Sequence, residues 1–219
     1  MNQPTSAAMC PPPATDLAAA ALFLDFDGTL APIAPRPNLA AMSEPTRAML
    51  ARLLRRTEGA LAILSGRALA DLDRMLAPLV LPAAGSHGLE RRSLAGVTQR
   101  VAASGAVAEA SQAMIAFGGA HGLLVERKPA GAALHYRDRP DLEAACRAFA
   151  DRAAARPGLR TVHGDMIAEV SLAAADKGSA LAAFMAEPPF RGRMPIVAGD
   201  DVTDEDAFRA ARSMGGLAI

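Results

Sequence analysis

The sequence predicts an α/β protein, a parallel sheet covered by helices, with a smaller α+β module inserted between two halves of that sheet. Three observations predict it. Apolar runs alternate with helical stretches in a βαβαβ order up to Gly88, the pattern of strands buried on both faces and joined by crossover helices. The rhythm changes from Leu89 to His163 and returns past Asp165. Three of the apolar runs stop in polar clusters, Asp25/Asp27, Ser65 and Asp200/Asp201, and open parallel sheets bind ligands beyond the carboxyl ends of their strands.

The elements follow in order. Met1 to Asp16 is Pro- and Ala-rich, contains Pro11-Pro12-Pro13 and cannot bury enough to order itself, so it reads as a disordered lead. Leu22-Phe23-Leu24 is a strand that breaks into Asp-Phe-Asp-Gly-Thr, where Asp-Gly marks a turn. After a loop holding Pro32, Pro35 and Pro37, Ser43 caps a helix with Pro45 in its first turn, ending before Gly59. Ala60 to Leu64 is the second strand, running into Ser65-Gly66-Arg67. A short helix from Ala68 to Leu76 leads to a third apolar run, Leu79 to Ala84, stopped by Gly85-Ser86-His87-Gly88.

The inserted stretch, residues 89–163, carries helical segments Ser104 to Phe117 and Pro140 to Ala155 and short strands at Leu123 to Arg127 and Ala132 to Tyr136. Residues 17–88 and 164–219 form the core on this reading. In its second half Met166 to Val170 is strand-like, Lys177 to Ala186 helical, and Met194 to Ala198 a strand that runs into Gly199-Asp200-Asp201.

Composition narrows the function. The chain has 219 residues, enough for a sizeable core, although 52 of them are Ala. With 23 basic against 23 acidic side chains, no global charge recruits it to nucleic acid or to a membrane surface. No run of eighteen apolar residues offers a membrane span, and the N-terminus lacks the basic region and small-residue site of a secretory signal, so a cytoplasmic location is the expectation. Two cysteines make no disulfide framework and four scattered histidines make no zinc site, so any metal sits on oxygen.

Asp25 and Asp27, two apart at a strand end, lie on one side of an extended chain within reach of a shared cation, and carboxylates beside a phosphate suit Mg²⁺. Taken alone, Asp-x-Asp-Gly is also an ordinary turn. Only two of the 23 basic residues are lysine, Lys128 and Lys177, and a compact ammonium fits beside a metal where a guanidinium fork would overfill the pocket. Ser65-Gly66-Arg67 opens a helix and can bind an anion through hydroxyl and backbone N–H groups. In the acidic run Asp200 to Asp206, Thr203 followed by Asp206 matches a capping box, which accounts for Asp204 to Asp206 but not for Asp200 and Asp201.

Together these motifs resemble the haloacid dehalogenase superfamily of aspartyl-phosphate phosphatases, whose four motifs match in order at Asp25-Phe26-Asp27-Gly28-Thr29-Leu30, Ser65, Lys177 and Gly199-Asp200-Asp201 with Asp204. More narrowly, Ser65-Gly66-Arg67, Gly85-Ser86-His87-Gly88-Leu89-Glu90, Glu126-Arg127-Lys128, His135-Tyr136-Arg137 and Gly199-Asp-Asp-Val-Thr-Asp-Glu resemble the trehalose-6-phosphate phosphatases. The resemblance implies a Rossmann-like core with an inserted cap and Mg²⁺-dependent hydrolysis of trehalose 6-phosphate, the last step of trehalose biosynthesis, by a monomer. It implies Asp25 as nucleophile, Asp27 as acid and base, and Ser65 and Lys177 on the phosphoryl oxygens. The metal would be held by Asp25, the Asp27 carbonyl and Asp200, with Asp201 and Asp204 behind them. Substrate would meet Asp25, Phe26, Asp27, Gly66, Arg67, His87, Glu90, Glu126, Lys128, His135 and Glu169.

Two departures stand out. Ser171-Leu172 replaces the Arg-Pro pair usual before the motif lysine, which leaves substrate packing open, and the chain stops at Gly215 to Ile219, which is expected to leave a sheet edge bare. Another sugar-phosphate phosphatase and a truncated, non-catalytic homologue remain as alternatives. A phospho-acceptor signalling domain would have neither Asp27-Gly28-Thr29 nor the insertion.

Overall fold

A computed structural model describes residues 15–34, 36, 39–101, 105–128, 131–173 and 176–219. The proline-rich lead through residue 14, Pro35, Pro37 and the Ser104 helix start lie outside them. Asp16, expected in the lead, accepts a hydrogen bond from Ala18 N–H and caps a short 3-10 turn.

The large sheet is built from β1 (Ala20–Leu24), β2 (Leu61–Leu64), β3 (Ala83–Gly85), β4 (Glu90–Arg92), β5 (Thr98–Arg100), β10 (Met194–Ala198) and β11 (Leu217–Ala218), in the order β11-β10-β1-β2-β3-β4-β5. From β11 to β3 it is parallel; β4 and β5 add an antiparallel hairpin. β1 shows why the central strands read as unbroken apolar runs. Ala20 and Leu22 face one core with α1 (Glu44–Arg56) and α2 (Leu69–Leu76), while Ala21 and Phe23 face the other with α5 (Lys177–Met185) and α6 (Glu205–Ser213). Ser43 caps α1 through Thr46 N–H, with Pro45 in the first turn, as predicted.

The small sheet has the order β6-β7-β9-β8, formed by β6 (Leu124–Lys128), β7 (Gly131–His135), β8 (Leu159–Gly164) and β9 (Ile167–Leu172), all antiparallel. α3 (Gly105–His121) and α4 (Glu143–Ala154) cover one face, over Val125, Leu134, Ala168, Ala132 and Val170. The alternate rows of the register, Glu126 with Ala133, Glu169 and Val162, and Lys128 with Gly131, Ser171 and Arg160, belong to the other face.

Three expectations need correction. The sheets do not divide at 88/89 and 163/164: β4 and β5 extend the large sheet, and β9, expected in the core, pairs within the small one. The cause is local, because β8, which the periodicity did not announce, turns directly into β9 with Gly164 opposite Ile167. The third apolar run yields only Ala83–Gly85, since Pro82 has no N–H to give and contributes only its carbonyl, to Ile63 N–H. Leu217 and Ala218 pair with Ile196 and Val197, so β11 rather than β10 ends the sheet on that side, with no further partner strand among the described residues.

Phe23 is fully buried against Phe184 and Phe190, with ring centroids 6.1 and 5.5 Å away, and those two rings lie 5.1 Å from each other. Phe23→Ala is expected to cost ~3–5 kcal/mol by denaturant unfolding; a loss below ~1 kcal/mol would show that this aromatic cluster does not hold α5 on the sheet.

Candidate active site

A cavity of about 420 Å³ lies between the carboxyl ends of the central strands and the polar face of the small sheet. Neighbouring strands β10, β1 and β2 deliver Gly199-Asp200, Asp25 and Ser65 to the same edge, and the pairing continues past the strands: Asp25 N–H bonds Ala198 C=O at 2.9 Å and Ser65 N–H bonds Ala84 C=O at 2.9 Å.

At its floor, the Lys177 ammonium lies 2.6 Å from Asp25 Oδ1 and 2.7 Å from Asp204 Oδ1, with all three side chains buried. The capping box formed by Asp176 and Ser179 begins α5 at Lys177, which fixes where the ammonium enters. Burial pulls Lys177 down, but Asp25 and Asp204 pull it up further, so it stays charged. Burial raises the Asp25 carboxyl to about 7, with Lys177 opposing and Asp204 adding to the rise. Asp200 is raised by burial and by Asp204 and Asp201, against a hydrogen bond from Thr29 Oγ1 at 3.1 Å.

Asp25, Asp200 and Asp204 each present a carboxylate oxygen, all within 4.8 Å of one another, around a single ammonium. Negative charge is in surplus and every donor is oxygen, the surroundings of a hard divalent cation such as Mg²⁺. Asp204 already has both oxygens engaged, one by Lys177 and the other by Asp201 N–H at 3.1 Å, which leaves Asp25 and Asp200 as the open pair. Gly28, at φ +92°, makes the room: a Cβ there would be driven into the Asp200 carboxylate.

Asp27 points elsewhere. Its carboxylate is forked by Arg67, Nε to Oδ2 at 2.7 Å and Nη2 to Oδ1 at 2.6 Å. Ser65 lies beneath the cavity, 1% exposed, its Oγ accepting from Arg67 N–H at 3.1 Å. From the small sheet, Glu126, Lys128, His135 and Glu169 line the cavity, joined by His87 from the end of β3. They are paired with one another: His135 with Glu126 at 2.9 Å, Lys128 with Glu169, and His87 Nε2 with Glu169 Oε2 at 3.5 Å. Burial holds His87 below its ordinary value despite Glu169.

The structure brings most of the expected residues together, with three corrections. Glu90 does not line the cavity; its buried carboxylate accepts from Leu69 N–H at 2.9 Å at the start of α2 and pairs with Arg100 at 2.9 Å. The Phe26 ring is in the core beneath Arg67. The capping box is Asp201 with Asp204, not Thr203 with Asp206, because the 3-10 turn Val202–Asp204 starts before α6 and takes the cap two residues earlier. Sequence reasoning missed Thr29, Ile33 and the tip of the β8–β9 turn, where Asp165 pairs with Arg137 at 2.6 Å and Met166 lines the cavity. A Gly-Asp pair between alternating apolar residues was the available signal for that turn.

A parallel sheet carrying an acidic, lysine-bridged strand edge beneath an inserted antiparallel sheet defines the haloacid dehalogenase class of fold. Residues 23–219 match the model of the trehalose-phosphatase family, and the chain belongs to that family. It is 40% identical over 208 residues to a probable trehalose-phosphate phosphatase of Sinorhizobium fredii, covering 94% of this chain and 78% of the relative. It is 37% identical over 202 residues to the trehalose-6-phosphate phosphatase of Escherichia coli, covering 91% and 76%. The C-terminal domain of the Candida albicans trehalose-6-phosphate phosphatase superposes with a TM-score of 0.80 at 23% identity, over 89% of this chain and 74% of that one.

Glu169 yields a prediction with a definite sign. Burial pushes its carboxyl up, but Lys128 and His87 pull harder and hold it at about 2 against an ordinary 4.5. A depressed carboxylate stabilises the fold above its unfolded value, and that stabilisation is lost as pH falls from 4.5 through about 2. Denaturation midpoints should therefore drop more steeply in this window for the native chain than for Glu169→Gln; equal slopes would contradict the pairing.

Proposed function

We propose that this protein hydrolyses trehalose 6-phosphate to trehalose and phosphate through an aspartyl-phosphate on Asp25, with Mg²⁺ bound. The observation that carries the reading is the juxtaposition of Asp25, Lys177, Asp204 and Asp200 at three separate segments' ends, facing a polar cap surface across one cavity. The family and its relatives supply the substrate class.

Asp25 attacks phosphorus in line with the bond to the sugar oxygen; that bond's electron pair leaves with the oxygen, which takes a proton from Asp27. Water then attacks the aspartyl-phosphate, Asp27 receives its proton, and Asp25 and phosphate are freed. Lys177 opposes the rise that burial imposes on the Asp25 carboxyl and bears on the phosphoryl oxygens. Ser65 Oγ, which already accepts from Arg67 N–H, has its own hydrogen left to donate to one of them. Asp25, the Asp27 backbone carbonyl and Asp200 would hold Mg²⁺, which when bound would supply positive charge against the oxygens of the transferring group. Asp201 and Asp204 brace these ligands. Glu126, Lys128, His135, Glu169 and His87 offer polar groups to the sugar hydroxyls, and the inserted module excludes water above them.

A phosphate-release panel tests this. Trehalose 6-phosphate should be turned over faster than glucose 6-phosphate or sucrose 6-phosphate, chelation should remove activity and added Mg²⁺ restore it, and Asp25→Asn should lose at least ~10³-fold. Equal rates on all three sugars would reassign the substrate, and turnover surviving in Asp25→Asn would overturn the mechanism.

A further inference from the structure

Arg67 is placed with more care than a substrate contact alone demands. Its N–H donates to Ser65 Oγ at 3.1 Å, and its carbonyl accepts from Ser86 N–H at 2.7 Å, while the Ser65 carbonyl accepts from His87 N–H at 3.0 Å. To supply those donors the chain passes through three consecutive left-handed residues, Ser86 at φ 48°, His87 at 55° and Gly88 at 98°, a conformation that side-chain-bearing residues rarely adopt. Gly85 permits the approach, since a Cβ there would stand 2.6 Å from the Arg67 carbonyl oxygen. Immediately after Arg67, the buried Glu90 carboxylate takes Leu69 N–H at 2.9 Å. The Phe26 ring lies under the guanidinium, 5.6 Å from its centroid. Three segments thus hold one arginine, and its fork closes on Asp27 at 2.7 and 2.6 Å.

We infer that Arg67 is a positioning residue for the proton transfers made by Asp27. The inference rests on the role proposed above for Asp27. A carboxylate on a turn, 36% exposed at its side chain, would otherwise rotate freely; a two-point pair with a planar, anchored guanidinium fixes both of its torsions. When Asp27 carries the proton, one oxygen keeps its bond to the guanidinium and the other turns the proton toward the departing sugar oxygen as the P–O bond breaks. The strained turn at the end of β3 serves this arrangement, because it pins the Arg67 backbone.

The test exploits the leaving group. A sugar alkoxide must be protonated as it departs, whereas p-nitrophenolate leaves without a proton. Turnover of trehalose 6-phosphate and of p-nitrophenyl phosphate is measured for the native protein, Asp27→Asn, Arg67→Ala and Arg67→Lys. Arg67→Ala should lose ~10²-fold in kcat on the sugar phosphate, and at least about tenfold less than that on the aryl phosphate. Added guanidinium ion should recover part of the sugar-phosphate loss, and Arg67→Lys should not, because an ammonium cannot fork. The aryl phosphate turnover of Arg67→Ala reports that its site is folded. A rise in KM with kcat retained, or equal kcat losses on both substrates, would overturn the positioning role while Asp27→Asn still shows the asymmetry. If Asp27→Asn shows no asymmetry either, the proton role of Asp27 fails, and this inference with it.

Discussion

The ammonium of Lys177, bonded to Asp25 and Asp204 and buried with them, is the interaction on which the rest of the site depends. Two carboxylates brought out of water from distant parts of the chain repel one another unless a cation sits between them, and removing one partner from such a cluster commonly costs ~3–5 kcal/mol. The ammonium therefore ties α5 to the end of β1 and to the turn before α6. It also leaves a deficit. One positive charge faces Asp25, Asp204 and Asp200, and burial, with Asp204 adding to it against Lys177, lifts the Asp25 carboxyl to about 7, a condition that a divalent cation would relieve.

The second lysine repeats the device in the small sheet. Lys128 is buried against Glu169, with His87 reaching in from the large sheet. Both lysines are thus ammonium groups locked on carboxylates at the two sides of one cavity. Arginine's fork serves where a planar pair is made, as between Arg67 and Asp27, and the compact ammonium sits where Lys128 and Lys177 are buried against carboxylates.

Much of the large sheet was legible because its strands are buried on both faces and its helices announce themselves through caps such as Ser43. Asp25, Ser65, Lys177 and Asp200 were legible for a related reason, since each follows an apolar run or opens a helix, and chain order alone sends such positions to one sheet edge. What was not legible depends on pairing over distance. Met166 to Val170 alternates equally well in either sheet, and only the short turn from Gly164 to Ile167 commits it to the smaller one. Glu90 is acidic and close to His87 in sequence, yet its carboxylate is taken by a helix start that sequence cannot bring near. The fork of Arg67 on Asp27 joins residues forty apart and leaves no local signature.

The capping box that places Lys177 and the paired end of β1 set the Asp25 carboxylate beside one ammonium, which makes the fate of Asp25 decisive for the proposed mechanism. Rapid quenching of the protein during turnover of trehalose 6-phosphate with Mg²⁺, followed by peptide mass spectrometry, is the most direct measurement. A phosphoryl group on the peptide bearing Asp25, and there alone, is the predicted result. Phosphate release with Asp25 never modified, or with the phosphoryl group on another residue, would contradict it.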